Sequence, residues 1–299
     1  MAVPYSDSIA QALDGHLRVK QGGSWQYVED VNVRDGGSWR DVKEVYVRHS
    51  GSWRLVHEGD HFLFNVTIPA ASNSNTQWSL SSYITGQGYS GNKIKGAITV
   101  SNIQQRMNLN NFSSDSKVYL RISANRRLVG AGGNGGNRGG NNGGNGQRAL
   151  RSEGTPFILD NAGIIAGGGG GGGGGNNSNC VYQNTNYFSC VKGQQCSELV
   201  QNQSPAYGGG GGGGAGYPGG QGKNGGNNGQ NFSGGGGGAS DGCGSNAGGD
   251  GGDLGQNGQS ATGPNGSAGT KGTGIEGINH RYSQSGSGDG DIRGGTTNT

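Results

Sequence analysis

Nine consecutive glycines occupy residues 167–175, seven more occupy 208–214 and five occupy 234–238. Of the 71 glycines in the chain, 60 lie in residues 130–299. A polymer this poor in side chains cannot bury enough apolar surface to offset its ordering entropy, and glycine loses more conformational freedom on folding than any other residue. This half is therefore either disordered or held together by its backbone. The backbone option has a physical form: extended segments of the polyproline II type have three residues per turn and point every N–H and C=O sideways. Parallel or antiparallel neighbours can then bond to one another with no Cβ to keep them apart.

The composition breaks near Gly130. Residues 1–129 carry 14 Lys plus Arg against 10 Asp plus Glu, and residues 130–299 carry 8 against 9, so the glycine half is nearly neutral. The formal charge of +3 is small and dispersed, and the second half offers few arginines, which argues against nucleic acid or an anionic bilayer as partner. No basic stretch followed by an apolar core opens the sequence, so no secretory signal is expected, and no 18-residue apolar run suggests membrane insertion. Assembly in a cytosol and release by lysis within a virus particle is one route consistent with this.

A repeat fills the first segment, residues 1–59. Leu17-Arg-Val-Lys-Gln-Gly-Gly-Ser-Trp25, Val31-Asn-Val-Arg-Asp-Gly-Gly-Ser-Trp39 and Val45-Tyr-Val-Arg-His-Ser-Gly-Ser-Trp53 align at a 14-residue period. Each unit reads as strand, glycine turn, strand. Val28, Val42 and Val56 follow each Trp by three places, which predicts a β-bulge between them. Stacked units would align Trp25, Trp39 and Trp53 in a ladder, buried between units.

Residues 60–129 read as a second β region, with strands over 62–68, 95–101 and 117–123 and polar loops between, for which a small sandwich is the expected architecture. No long amphipathic helix is expected anywhere; residues 7–13 offer one turn. In residues 130–299, Asn134, Asn137, Asn141, Asn142 and Asn145 punctuate the glycine, and Pro156-Phe-Ile-Leu-Asp-Asn-Ala-Gly-Ile-Ile165 is apolar. A linker needs no such segment, so it is read as a cap sealing one end or face of a packed glycine bundle. The fold class expected is mainly β with a polyglycine II helix bundle.

The stretch Arg127-Leu-Val-Gly-Ala-Gly-Gly-Asn-Gly-Gly136, followed by Pro156-Phe-Ile-Leu-Asp-Asn-Ala-Gly-Ile-Ile-Ala-Gly-Gly-Gly-Gly170, resembles the glycine-rich tail proteins of tailed bacteriophages. It is also similar to the monomeric adhesins at the tips of long tail fibres, in which polyglycine II helices sandwich together and carry variable loops at one end. The resemblance covers residues 117–295, with the strand, the Val-Gly-Ala-Gly-Gly step and the apolar segment in the same order. The N-terminal half does not show that group's usual fibre-attachment domain. The resemblance implies a rigid platform in residues 130–299 whose inserts touch the host. Residues 1–59 would then serve virion attachment or oligomerisation, and interlocking of the Trp repeats about an axis leaves a homotrimer open.

The obvious insert is residues 176–206, holding Tyr182, Tyr187, Phe188 and Lys192; Tyr207, Tyr217 and Phe232 mark shorter interruptions. Rigid aromatic rings among Asn, Ser and Gln suit a bacterial surface protein or glycan as receptor. Cys180, Cys190, Cys196 and Cys243 are candidates for a disulfide, with three pairings open. A bridge inside the 180–196 loop and free buried thiols are both open, whereas the spacings and the lack of a nearby histidine argue against zinc.

Enzymatic readings find no support. His57-Glu-Gly-Asp-His61 lacks the helix that would bring two rings to one metal, and Asp250-Gly-Gly-Asp253 and Asp289-Gly-Asp291 read as turns rather than calcium ligands. No paired catalytic carboxylates and no cofactor motif are evident. Two functions follow: a tail-tip or tail-fibre adhesin recognising a bacterial surface receptor beside other phage tail proteins, or a purely structural tail component. An ice-binding polyglycine II protein would need a flat regular face, which the aromatic insert at 176–206 breaks.

Overall fold

The computed structural model describes residues 18–27, 31–42, 44–58, 61–68, 77–101, 103–104, 106–189, 195–243, 245–263, 266–277, 283–284 and 291–297; for 18, 25–27, 41, 54–58, 103–104, 183–189, 195–200, 283–284, 291 and 297 the backbone alone is described. The 14-residue repeats form three antiparallel hairpins: β1 (Arg18–Gln21) with β2 (Ser24–Tyr27), β3 (Asn32–Asp35) with β4 (Ser38–Asp41), and β5 (Glu44–His49) with β6 (Ser52–Glu58). Their two-residue turns, Gly22-Gly23, Gly36-Gly37 and Ser50-Gly51, all have positive φ, as the twist of a tight hairpin requires. The expected bulge occurs in the third unit, where Val45 pairs with His57 but Tyr46 with Leu55, leaving Val56 extra. In the second the ladder runs on without one, and Val42 N–H donates to the Val31 carbonyl at 2.7 Å. Of the expected Trp ladder, the side chain of Trp25 lies outside the described residues, and Trp39 and Trp53 are not buried between units. Each hairpin is a separate two-stranded sheet, and Trp39 and Trp53 are 70% and 69% exposed. A two-stranded unit has no second layer against which to bury an indole.

From β7 (Phe62–Ile68) onward every β-ladder outside one later hairpin is parallel. Sheet I stacks β7, β9 (Ile94–Val100), β12 (Lys117–Ile122), β15 (Phe157–Asn161) and β20 (Ser283–Gln284). Sheet II stacks β10 (Ile103–Gln104), β13 (Arg127–Val129), β16 (Ile164–Ala166) and β21 (Asp291–Arg293). Sheet III stacks β8 (Trp78–Ser79), β11 (Met107–Asn108), β14 (Leu150–Arg151), β19 (Ile275–Glu276) and β22 (Thr296–Thr297). After β8 the chain visits I, II and III in turn, coil after coil, which is the topology of a three-sided parallel solenoid. Residues 60–129 are thus not closed on themselves as a sandwich; strands from beyond Gly130 extend all three of their sheets.

Register explains the core. Leu120 lies between Ile98 and Leu159 in sheet I, Leu128 pairs with Ile165 in sheet II, and Leu150 pairs with Met107 and Ile275 in sheet III. All of these are buried in one apolar cluster. The segment 156–165, read from sequence as a cap on the bundle, is instead a rung of this solenoid, with Phe157, Leu159 and Ile165 in its core. A short helix, α1 (Leu80–Gly86), which the sequence reading missed, buries Leu80 and Ile84 one turn apart and is capped by the Ser79 hydroxyl accepting from Ser82 N–H. His61, the end of the supposed metal motif, is buried with Nε2 3.3 Å from the Asp115 carbonyl.

The glycine tracts leave the solenoid at the corner between sheets II and III. Residues 130–149 join β13 to β14, and residues 167–274 join β16 to β19. Pairing continues across the junction with its step changed to three. The N–H groups of Gly130, Gly133, Gly136 and Gly139 donate to the carbonyls of Ala166, Gly169, Gly172 and Gly175. Within 167–175 the donors rotate through three neighbours. Gly168, Gly171 and Gly174 donate to Gln147, Gly144 and Asn141; Gly169, Gly172 and Gly175 donate to Ala215, Gly212 and Gly209; Gly170 and Gly173 donate to Gln256 and Gln259. Segments 249–255 and 269–272 donate back to its carbonyls. Counting 130–139, this one run is surrounded by six others.

Such spacing admits no side chain. A Cβ on Gly172 would stand 1.9 Å from the Gly249 carbonyl oxygen and 2.7 Å from that of Asp250. A Cβ on Gly236 would meet nothing nearer than Asn227 Nδ2 at 3.5 Å. Gly172→Ala is expected to destabilise the body by more than about 3 kcal/mol, as backbone must move to admit a methyl. Gly236→Ala should be neutral or stabilising by less than about 1 kcal/mol. Thermal melting of the two variants checks the contrast.

Candidate functional site

Because each glycine segment crosses the body from one end to the other, its connections collect at two places. Near the solenoid lie residues 215–218, 230–234 and 252–256; at the far end lie 137–141, 175–178, 206–209, 223–226, 238–246 and 259–266, as the pairings of 139 with 175, 209 with 175 and 246, and 210 with 224 and 238 require. At the far end stands the antiparallel hairpin of β17 (Ser178–Ser189) and β18 (Gln195–Ala206), twelve residues a side, in unbroken register from Ser178 opposite Ala206 to Ser189 opposite Gln195.

The base of this hairpin is tied down in several ways. Cys180 is buried and forms a disulfide with Cys243. The bridge of Cys180 therefore runs to the later 238–246 loop; antiparallel pairing sets Cys180 opposite Ser204 and Cys196 opposite Phe188, while Cys190 and the side chain of Cys196 lie outside the described residues. Ser178 Oγ donates to the Cys243 carbonyl at 2.6 Å, and Tyr182 Oη lies 3.9 Å from Cys243 Sγ. Tyr207 N–H donates to Asp241 Oδ2, while Asp241 N–H returns to the Tyr207 carbonyl at 3.0 Å. The Arg138 guanidinium sits 4.2 Å from the centroid of the Tyr207 ring, and Arg138 N–H donates to Asn224 Oδ1 at 3.1 Å. Gly139 and Gly140, both with positive φ, turn the chain beneath this arginine. The arrangement gathers a cation, a carboxylate, amides and half-exposed aromatic rings on a braced frame; Tyr182 is 49% and Tyr207 39% exposed.

The sequence-based candidates divide between the two ends. Tyr182 and Tyr207 stand at the far end, as does the backbone of Tyr187 and Phe188, which register sets opposite Ser197 and Cys196. Lys192 and Cys190 lie outside the described residues. Tyr217 and Phe232 belong to the other end. Tyr217 packs on the small apolar cluster of Val129, Ala166, Ala215 and Leu254, and the Arg127 guanidinium lies 3.7 Å over the Phe232 ring. Both rings seal the seam between solenoid and glycine body. Sequence reasoning passed over Arg138 and Asp241, which differ in no local pattern from other polar interruptions; only the folded ends bring them beside Tyr207.

The asparagines and aspartates along the tracts have a separate role. Side-chain oxygens of Asn134, Asn142, Asn145 and Asn257 accept from the N–H groups of Gln221, Ser267, Thr270 and Lys271, and those of Asp250 and Asp253 accept from Gly237 and Gly234. They replace the neighbour that an outermost segment lacks, which accounts for Asp250 and Asp253 without a metal. Among the described residues no group of three His, Cys, Asp or Glu could hold a metal ion, and no helix is long and apolar enough to cross a membrane.

The family model described as phage tail fibre adhesin Gp38 matches residues 63–297, leaving the three Trp hairpins outside the match. No curated protein and no solved structure matches the chain.

Cys180 and Cys243 are separated by 63 residues, and closing a loop of that length stabilises by roughly 4 kcal/mol in the chain-entropy description. The double variant Cys180→Ser, Cys243→Ser is expected to lower the melting temperature and to speed amide exchange at 178–182 and 204–207, while residues 167–175 keep their protection. Hydrogen-exchange mass spectrometry reads both.

Proposed function

The chain belongs to the phage tail fibre adhesin Gp38 family, and from that premise we propose that the far end of its glycine body is the surface that meets the bacterial receptor. An adhesin recognises a host surface molecule during attachment. The observation that carries the placement is the convergence of the disulfide-anchored hairpin with the 137–141, 223–226 and 238–246 turns, at the end opposite the solenoid. In this reading Tyr182, Tyr187, Phe188, Lys192 and Tyr207 supply contact, joined by Arg138 and Asp241. Aromatic rings offer large rigid area at small entropic cost, and the surrounding amides adapt to a protein loop or a glycan.

The glycine body is proposed to be a polyglycine II bundle. The support is the three-step rotation of donors in 167–175 and carbonyl oxygens standing where a Cβ would be. At about 3.1 Å per residue the nine-glycine run spans roughly 28 Å, which separates the receptor end from the solenoid. The partners proposed are other tail proteins on the solenoid or Trp-hairpin side and an outer-surface protein or glycan on the far side. The protein would act at the tip of the virion's tail fibre, as an adhesin and not as an enzyme.

Replacing residues 178–206 by a short glycine linker is expected to leave the glycine body folded and to cut adsorption of phage carrying it by at least about tenfold, a loss of about 1.4 kcal/mol or more. Phe232→Ala should lower thermal stability with adsorption unchanged. Unaltered adsorption of the hairpin-deleted phage to host cells would overturn the placement.

A further inference from the structure

A groove of about 420 Å³ opens on the flank of the molecule, where the glycine body meets sheet III, remote from the hairpin end. Its walls are the segment 145–148 on one side and 270–273 on the other, with Arg106 and Glu276 contributed by the solenoid. Gly146 N–H donates to Thr270 and Ala149 N–H to Thr273, so the two walls are fixed to each other by the same backbone pairing that builds the body.

Charge is unevenly distributed here. Arg106, Arg148 and Lys271 line the groove against one carboxylate, Glu276. That carboxylate is committed: Oε2 binds Arg148 Nη1 at 2.9 Å, and Oε1 stands 4.0 Å from Arg151 Nε. Lys271 is exposed and has no ion pair among the described residues. Burial first and the neighbouring Arg148 guanidinium second depress the Arg106 pKa, while Arg148 is itself paired with Glu276. Three cations against one carboxylate leave the groove positive, and a concave surface of one prevailing sign concentrates counter-charge. The remaining lining is uncharged and polar: Asn145, Gln147, Thr270 and Thr273 present amides and hydroxyls. Gln147 Oε1 is buried and makes no hydrogen bond among the described residues.

We propose that this groove is a second binding site, for a saccharide bearing a phosphate monoester. The phosphate would sit among Arg106, Arg148 and Lys271, where planar guanidiniums offer paired N–H donors to its oxygens and the lysine a point charge. The sugar hydroxyls would meet Asn145, Gln147 and the threonines. The site lies apart from the far-end surface and does not depend on the receptor reading made for that end.

The test is calorimetric titration of the intact protein with glucose 1-phosphate, glucuronate and glucose at low and moderate salt. Glucose 1-phosphate is expected to bind saturably at one site and to weaken as salt rises, with glucose silent and glucuronate weaker. Lys271→Gln, an exposed change that spares the fold, should weaken glucose 1-phosphate at least about tenfold, equivalent to about 1.4 kcal/mol, and Lys271→Arg should restore it. The hairpin-deleted protein should bind it unchanged, which separates this site from the far end. Absence of saturable binding, indifference to Lys271→Gln, or equal affinity for glucuronate would each overturn the proposal.

Discussion

Everything in the glycine tracts depends on the peptide N–H finding a carbonyl on a neighbouring segment, each neighbour recurring at every third residue. In an ordinary core, side chains supply cohesion and the backbone satisfies itself within helices or sheets. Here cohesion and satisfaction are one event. The run 167–175 donates in rotation to 141–147, 209–215 and 256–259 and accepts from the segments between them. The entropy lost by ordering glycine is large, so these bonds must be nearly complete to hold the body. They can be complete only if segments approach until a Cβ would collide with a carbonyl oxygen, near 2 Å at Gly171, Gly172 and Gly173. Glycine is thus required by proximity, not by φ, throughout the interior.

The same constraint fixes how the body joins the solenoid and where it stops. β13 and β16 pair in parallel at the solenoid corner, and Gly130 with Ala166 extends that register outward. On the return, the 143–149 segment pairs in parallel with 267–273 and delivers Leu150 and Ile275 to their places in sheet III. The apolar solenoid thus holds both ends of these segments in register. At the outer faces, where no further glycine segment is present, Asn and Asp oxygens accept the N–H groups that remain. At the seam, Tyr217 and the Arg127–Phe232 pair cover the change from side-chain packing to backbone packing.

Much of this was legible in the sequence, and the failures have physical causes. The Gly-Gly and Ser-Gly turns, the strands near 62–68, 95–101 and 117–123 and the insert at 176–206 follow from period and composition alone. What period-two patterning does not carry is whether strands pair in parallel within one segment or across a long insertion. For that reason 60–129 looked like a self-contained sheet, and Phe157, Leu159 and Ile165 looked like a cap, although their partners at Val118, Leu120 and Leu128 were already in view. The helix at 80–86 was signalled by Ser79 ahead of Leu80 and Ile84 but is too short for a periodicity search. Among the site residues, composition singled out aromatic rings wherever they interrupt glycine. It could not tell an interruption at the far end, such as Tyr207, from one at the seam, such as Tyr217, because that depends on how many times the chain has crossed the body.

A frame held by main-chain bonds changes what its loops are asked to do. In a side-chain core, a substitution at a loop's root alters packing beneath it. Here several roots are glycine, as at Gly139, Gly175 and Gly209, which are held by bonds between backbone atoms. The hairpin joins this frame through Cys180, Ser178 and the Tyr207–Asp241 contacts, all within four residues of its base. The interior of the tracts admits almost no substitution, because carbonyl oxygens stand where a Cβ would be. Glycine is the most permissive residue in solution and the least replaceable here, because its neighbours' carbonyl oxygens occupy the space of a side chain.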